Sequence, residues 1–160
     1  MKKATKEKIF NNMDAYLDFT IRDFRIEDYS SLIALWKSAG LPFKPNGRDS
    51  MEKIKEEVRK GISVFLVAEK DKKIIGSVIG THDGRKGWIN RVAVDPGYQR
   101  NSVAKSLVAE VEKKLDKIGI NIFACLIEDW NDRSMQVFEK LGYKKHKDII
   151  YFSKRKNDNI

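Results

Sequence analysis

Between Trp88 and Leu107 the chain changes period abruptly, and little else in it restricts the fold so tightly. Residues 88–94 are rich in β-branched and aromatic side chains and read as a strand that stops at Asp95, Pro96 and Gly97. A basic turn follows. Val103, Leu107, Val108, Val111 and Leu115 then recur at the three- and four-residue steps of one helix face, so a helix is predicted to begin near Asn101 or Ser102. A strand that ends in a tight turn and opens at once into a helix leaves several first-turn N–H groups unpartnered and pointing the same way. That arrangement holds an anion. Two bridged phosphates suit it best, because consecutive N–H groups form a concave nest, Arg100 and Lys105 add positive charge, and the small Ala104 permits close approach. The same residues also describe an ordinary strand-to-helix connection with a basic surface.

Two segments taken together resemble a known family. Val92 to Ala104 is similar to the acetyl-coenzyme A signature of the GNAT superfamily of N-acetyltransferases, a loop of Gln or Arg, two residues, Gly, one residue, then Gly or Ala. Gln99 and Ala104 match it, and Ser102 replaces the first Gly. Downstream, Asn131, Ser134 and the closing Leu141, Gly142 and Tyr143 resemble the family's Asn, two residues, Ala or Ser, and a helix ending in Leu-Gly-Phe/Tyr. The resemblance spans residues 19–154 and is concentrated between Trp88 and Tyr143. It implies an α+β fold: a mixed, mostly antiparallel sheet flanked by helices, with a splayed parallel strand pair holding acetyl-CoA.

At 160 residues the chain is read as an N-terminal extension over 1–18 and a single domain over 19–160. Its formal charge of +9 favours anionic ligands, of which coenzyme A is one. The charge does not require nucleic acid, because the basic residues are spread among acidic ones and no aromatic stacking pattern accompanies them. The local excess of Lys144, Lys145, Lys147, Lys154, Arg155 and Lys156 reads as a solvated terminus, with RNA contact a lesser alternative. The one cysteine, Cys125, excludes an intramolecular disulfide, and its apolar surroundings make it a packing residue. No apolar run approaches the ~20 residues of a membrane helix. With no secretory signal at the start, the expected location is the cytoplasm.

Residues 1–18 space Ile9, Phe10, Met13, Tyr16 and Leu17 for a short amphipathic helix that docks or dimerises, or else form a frayed end. A first strand over 19–24 leads through an Asp28 cap into a helix over 29–39, ended by Gly40. Residues 41–48 are a Pro- and Gly-rich connection, and Asp49 or Ser50 caps a second helix to Lys60. Residues 62–69 and 73–81 form a hairpin, extended to a meander by the strand over 88–94, while Gly76 and Gly80 weaken the middle strand. Gly119 closes the long helix. A buried strand over 120–127 is expected parallel to 88–94, and Asn131 or Asp132 caps a helix ending at Gly142. A last strand is expected over 148–154.

The resemblance implies transfer of an acetyl group from acetyl-CoA to an amine by direct attack in a ternary complex, without a metal. It places the backbone of Val92, Ala93 and Val94 against the pantetheine and thioester. Gln99, Arg100, Asn101, Ser102, Val103, Ala104 and Lys105 surround the pyrophosphate, and Asn131, Ser134 and Phe138 lie along the pantetheine arm. Residues 41–48 become an acceptor wall in which Phe43, Lys44 and Arg48 choose the substrate. An amine must be neutral to attack, so a carboxylate is needed to take its proton. Glu128 and Asp129 are the candidates, with His82 and Asp83 behind them. Where many members carry a Tyr that protonates the departing thiolate, this chain has Phe138, and Tyr143 reads as core. An amine acetyltransferase and a non-catalytic acyl-CoA-binding regulatory module are therefore both compatible with these residues. The amine acceptor is either a small molecule or a protein.

Overall fold

The computed structural model describes residues 18–157; the extension assigned to 1–18 lies outside them except for Asp18. The described residues form a five-stranded sheet and four helices. The strands are β1 (Thr20–Asp23), β2 (Val64–Lys70), β3 (Lys73–His82), β4 (Gly87–Val94) and β5 (Phe123–Ala124). The helices are α1 (Tyr29–Ser38), α2 (Met51–Lys60), α3 (Val103–Asp116) and α4 (Asp132–Lys140). Strands lie in chain order, antiparallel throughout except for the parallel β4–β5 pair. This is the mixed, mostly antiparallel α+β arrangement the sequence predicts.

Alternation along β2 explains the layering. Leu66 and Ala68 point to one face, where they meet Leu107, Val108, Val111 and Leu115 of α3; Phe65 and Val67 point to the other, against Leu32, Leu35 and Trp36 of α1 and Ile54 of α2. The predicted apolar face of α3 is buried in full. Gly76 and Gly80 do more than interrupt β3. A Cβ at Gly76 would lie 2.7 Å from Val103 Cγ1, and one at Gly80 would lie 2.3 Å from Val111 Cγ1. They are the floor on which α3 rests.

Local signals locate most helix ends, but the expected Asp28 cap does not form: its carboxylate is taken by the Arg22 guanidinium at 2.7 Å and the Arg25 N–H at 2.9 Å and makes no bond to α1. Ser50 accepts a hydrogen bond from the Lys53 N–H at 3.3 Å and so caps α2, while Asn131 accepts from the Ser134 N–H at 3.1 Å and caps α4. Asp49, the other candidate cap for α2, serves a different purpose described below.

Two strand expectations are corrected. The strand over 120–127 is reduced to two paired residues, Gly87 with Phe123 and Trp88 with Ala124, and Ile122 and Leu126 are exposed. The cause lies in β4, where Arg91 and Val92 stand opposite Val78 alone, a bulge with Arg91 at φ 54°. Such a bulge bends and twists its strand, carrying β4 away from β5. The strand expected over 148–154 is absent, and Ile149, Ile150, Tyr151 and Phe152 are exposed. A strand needs an edge to pair with, and a two-residue β5 offers too little of one.

Candidate functional site

The divergence of β4 from β5 builds the centre of the site. Beyond Trp88 the β5-facing edge of β4 has no ladder partner, so backbone groups along residues 89–94 remain available to an extended ligand. Val92 and Val94 anchor part of this edge in the α3 layer, and Ala93 in the α1 layer. The strand then turns sharply. Asp95 accepts a hydrogen bond from the Gly97 N–H at 2.9 Å and pairs with Lys73 at 2.8 Å, which holds its carboxyl below the usual carboxylate range. Gln99 folds back so that its Nε2 donates to the Val94 carbonyl at 3.2 Å. These contacts fix the corner between strand and helix.

Past that corner Arg100 and Ser102 both have left-handed backbones, at φ 70° and 60°. The first bond of α3 runs from the Ser106 N–H to the Ser102 carbonyl at 2.9 Å. The N–H groups of Val103, Ala104 and Lys105 therefore precede the helical ladder and converge beyond its end. Arg100, Asn101, Ser102 and Lys105 are exposed around them, and Val103 is buried beneath. Unpaired N–H groups with exposed basic residues around them thus stand at the start of α3, past the end of the bare β4 edge.

Ser102 takes the glycine-type angle, and its side chain makes no capping hydrogen bond. A side chain in this conformation costs roughly 1 kcal/mol or more relative to glycine. Ser102→Gly is expected to stabilise the protein by about 0.5–1 kcal/mol, a rise of ~1–4 °C in melting temperature on thermal denaturation. An unchanged or lower melting temperature would contradict the strain argument.

At the start of α4, the Asn131 Oδ1 is occupied by its cap, which leaves the Nδ2 group as the free side-chain donor of Asn131. Ser134 supplies the capped N–H, and Phe138 is buried with its ring edge-on to Tyr143, centroids 4.9 Å apart. The Tyr143 hydroxyl donates to Glu112 Oε1 at 2.6 Å. Burial and Glu112 hold the phenol well above its usual range, so it is no ready proton donor. Burial likewise pushes the Cys125 thiol up to about 11, in keeping with a packing role.

Glu112 itself is raised by burial, partly offset by the Tyr143 hydrogen bond. Its folded form holds a proton more tightly than the unfolded chain does. The stability it contributes is complete below the ordinary value of 4.5 and is lost as pH rises through the raised folded value. Glu112→Gln keeps an acceptor for Tyr143 without the buried charge. Denaturant unfolding across pH 4 to 7 is expected to show a smaller decline in stability with rising pH in the variant, and parallel curves would refute this assignment.

Glu128 and Asp129 are exposed and directly follow the segment that leaves β4. His82 and Asp83 lie elsewhere, at the β3–β4 turn, where Asp83 accepts from the Arg85 and Lys86 N–H groups. In the loop of residues 41–48, Phe43 packs toward Trp36 with centroids 6.3 Å apart, while Lys44 and Arg48 present exposed side chains. Two residues absent from the sequence-based site connect this loop to β4. Asp49 is buried, accepts the Lys44 N–H at 2.7 Å, and receives Arg91 Nη2 at 2.8 Å on each carboxylate oxygen. The signal was present in the chain: Arg91 is the lone charged residue inside the strand Gly87–Val94. Among the described residues, no group of three or more His, Cys, Asp and Glu side chains is arranged to hold a metal, and no helix is long and apolar enough to cross a membrane.

Comparison with known proteins gives this geometry a context. The model of the acetyltransferase (GNAT) family matches residues 24–143. Among solved structures, PaiA N-acetyltransferase from Thermoplasma acidophilum in complex with coenzyme A superposes with a TM-score of 0.72 at 24% identity, covering 79% of this chain and 89% of its own. Glucosamine-6-phosphate N-acetyltransferase from Arabidopsis thaliana gives 0.71 at 20% identity, over 87% of this chain and 99% of its own. The aminoglycoside N-acetyltransferase AAC(6')-Iy, in complex with the bisubstrate analog CoA-S-monomethyl-acetylneamine, gives 0.71 at 20% identity over 86% and 98%.

Proposed function

The chain belongs to the GNAT family of acetyltransferases, and from that premise we propose that it transfers an acetyl group from acetyl-CoA to a primary amine. The observation that carries this reading is the continuity of two features: the unpaired edge of β4 runs directly into the unpaired N–H groups at the start of α3. An extended amide chain ending in a pyrophosphate matches both. In this reading the N–H groups of Val103, Ala104 and Lys105, with Gln99, Arg100, Asn101 and Ser102 around them, receive the pyrophosphate. The backbone of Val92, Ala93 and Val94 receives the pantetheine and thioester, with Asn131, Ser134 and Phe138 along the opposite wall. The match to structures whose names include coenzyme A supports the same assignment.

The chemistry follows from proton bookkeeping. An aliphatic ammonium with a pKa of ~10.4 must lose a proton before it attacks the thioester carbon. Glu128 or Asp129, exposed beside the cleft, takes that proton through water. Donors along residues 92–94 stabilise the negative charge that develops on the thioester oxygen. The departing thiolate, with a pKa near ~8.5, leaves without a side-chain acid and is protonated by water. Phe43, Lys44 and Arg48 line the acceptor side, and residues 19–160 act as one domain in the cytoplasm.

Acceptor-dependent release of free thiol from acetyl-CoA, measured over polyamines, amino acids, aminoglycosides and peptides, tests this function. Release with at least one amine supports transfer, and its loss in Glu128→Gln or Asp129→Asn identifies the base. Phe138 favours a second reading, because it is a buried hydrocarbon where a proton donor would assist the leaving group. Coenzyme A binding with no release from any amine would favour a non-catalytic acyl-CoA-binding regulatory module.

A further inference from the structure

The β4 bulge and the loop of residues 41–50 are joined by a compact set of polar contacts. Arg91 sits in the bulge, immediately before the backbone assigned to the thioester, in a left-handed conformation uncommon for a residue with a side chain. Its guanidinium stacks 5.0 Å from the Trp36 ring centre, reaches both oxygens of Asp49 at 2.8 Å, and donates through Nη1 to the Pro42 carbonyl. Trp36 Nε1 in turn donates to Ser77 Oγ at 2.9 Å, and Ser77 Oγ donates to the Arg91 carbonyl at 3.3 Å. The loop has no strand or helix of its own; turn bonds such as Gly47 N–H to the Lys44 carbonyl at 3.0 Å shape it internally, and this pair ties it to β4. Asp49 accepts the Lys44 N–H, and its carbonyl accepts the Tyr29 hydroxyl at 2.9 Å. Arg48 approaches the same carboxylate at 3.5 Å but is largely exposed, so the buried partner is Arg91.

We propose that Arg91 and Asp49 are positioning residues: their buried ion pair, with Arg91 Nη1 on the Pro42 carbonyl, latches the acceptor-side loop to the bulge of β4 and so sets the acceptor amine against the thioester. The role rests on the acetyltransferase reading; the latch itself does not. One guanidinium that puts Nη2 on both Asp49 oxygens and Nη1 on the Pro42 carbonyl ties the loop at two points, and a lysine in its place supplies charge at only one. Removing the match on either side leaves a buried group unsatisfied and frees the loop. Misplacing one reactant slightly is enough to slow a transfer substantially.

Arg91→Lys and Asp49→Asn in the full chain provide the test. Hydrogen exchange of peptides covering residues 41–50 is expected to accelerate roughly tenfold in each variant, while exchange in the β2–β3 hairpin stays as in the unsubstituted protein. Coenzyme A affinity by calorimetry is expected to hold within about threefold, and kcat/KM for the amine to fall at least ~10-fold, with KM rising. A purely structural role would instead weaken coenzyme A binding and acceptor turnover together. Unchanged exchange of residues 41–50 in both folded variants overturns the latch. If one variant fails to fold, the other decides. Failure of the unsubstituted protein to bind coenzyme A would overturn the positioning role along with the acetyltransferase reading, while the exchange result still decides the latch.

Discussion

Ala104→Asp is expected to remove coenzyme A binding while leaving the protein as stable as before. Ala104 lies in the first turn of α3, between the N–H groups of Val103 and Lys105 that precede the helical ladder. An aspartate there suits the helix, since negative charge in the first turn contributes about 0.3–1 kcal/mol of favourable dipole interaction. It suits the ligand badly. The carboxylate would compete for the same N–H groups and face a pyrophosphate across a few ångströms, where like charges near a protein surface repel by up to ~4 kcal/mol. Affinity is therefore expected to fall about 100-fold or more, with no loss in melting temperature. The separation of the two readouts is informative, because most substitutions that abolish binding do so by damaging the fold. An unchanged coenzyme A affinity in Ala104→Asp would mean that the anion lies elsewhere.

Gly80→Ala is expected to produce the largest loss of stability of any single methyl addition to the sheet. The new Cβ would stand 2.3 Å from Val111 Cγ1 in the middle of α3, so the helix must lift or Val111 must leave its rotamer. Overpacking of this kind costs about 2–3 kcal/mol, which lowers the melting temperature of a domain this size by roughly 4–12 °C. Gly80 does not have a left-handed backbone, so the penalty is one of space alone. Thermal and denaturant unfolding of the variant measure it directly, and a loss below ~1 kcal/mol would show that the sheet and α3 are less closely packed than described.

Where one short motif sufficed, the sequence disclosed the structure well. The apolar period from Val103 to Leu115 gives α3 and its buried face; the turn at residues 95–97 gives the end of β4; Ser50 and Asn131 are legible as caps. Strand pairing was less legible because it depends on a partner distant in the chain. Residues 120–127 and 148–154 have strand-forming side chains, yet the first pairs at two positions and the second at none, since the bulge at Arg91 carries β4 off the line that would extend the sheet. The loop of residues 41–48 shows the same limit. Phe43, Lys44 and Arg48 are readable as a loop, but the Asp49–Arg91 pair that fixes this loop spans separate elements, and a capping role explained Asp49 more simply. Ser102 turns on a backbone angle that a sequence does not display: it stands at the N-cap of α3 in the left-handed region, with its side chain making no cap bond.

The central claim is that the bare β4 edge and the start of α3 form one binding site for acetyl-CoA. Calorimetric titration of the unsubstituted protein with acetyl-CoA tests it most directly. The account predicts saturable one-to-one binding with a dissociation constant in the range of ~1 μM to 1 mM typical of enzyme substrates. Absence of saturable binding up to millimolar acetyl-CoA by a folded protein would contradict it.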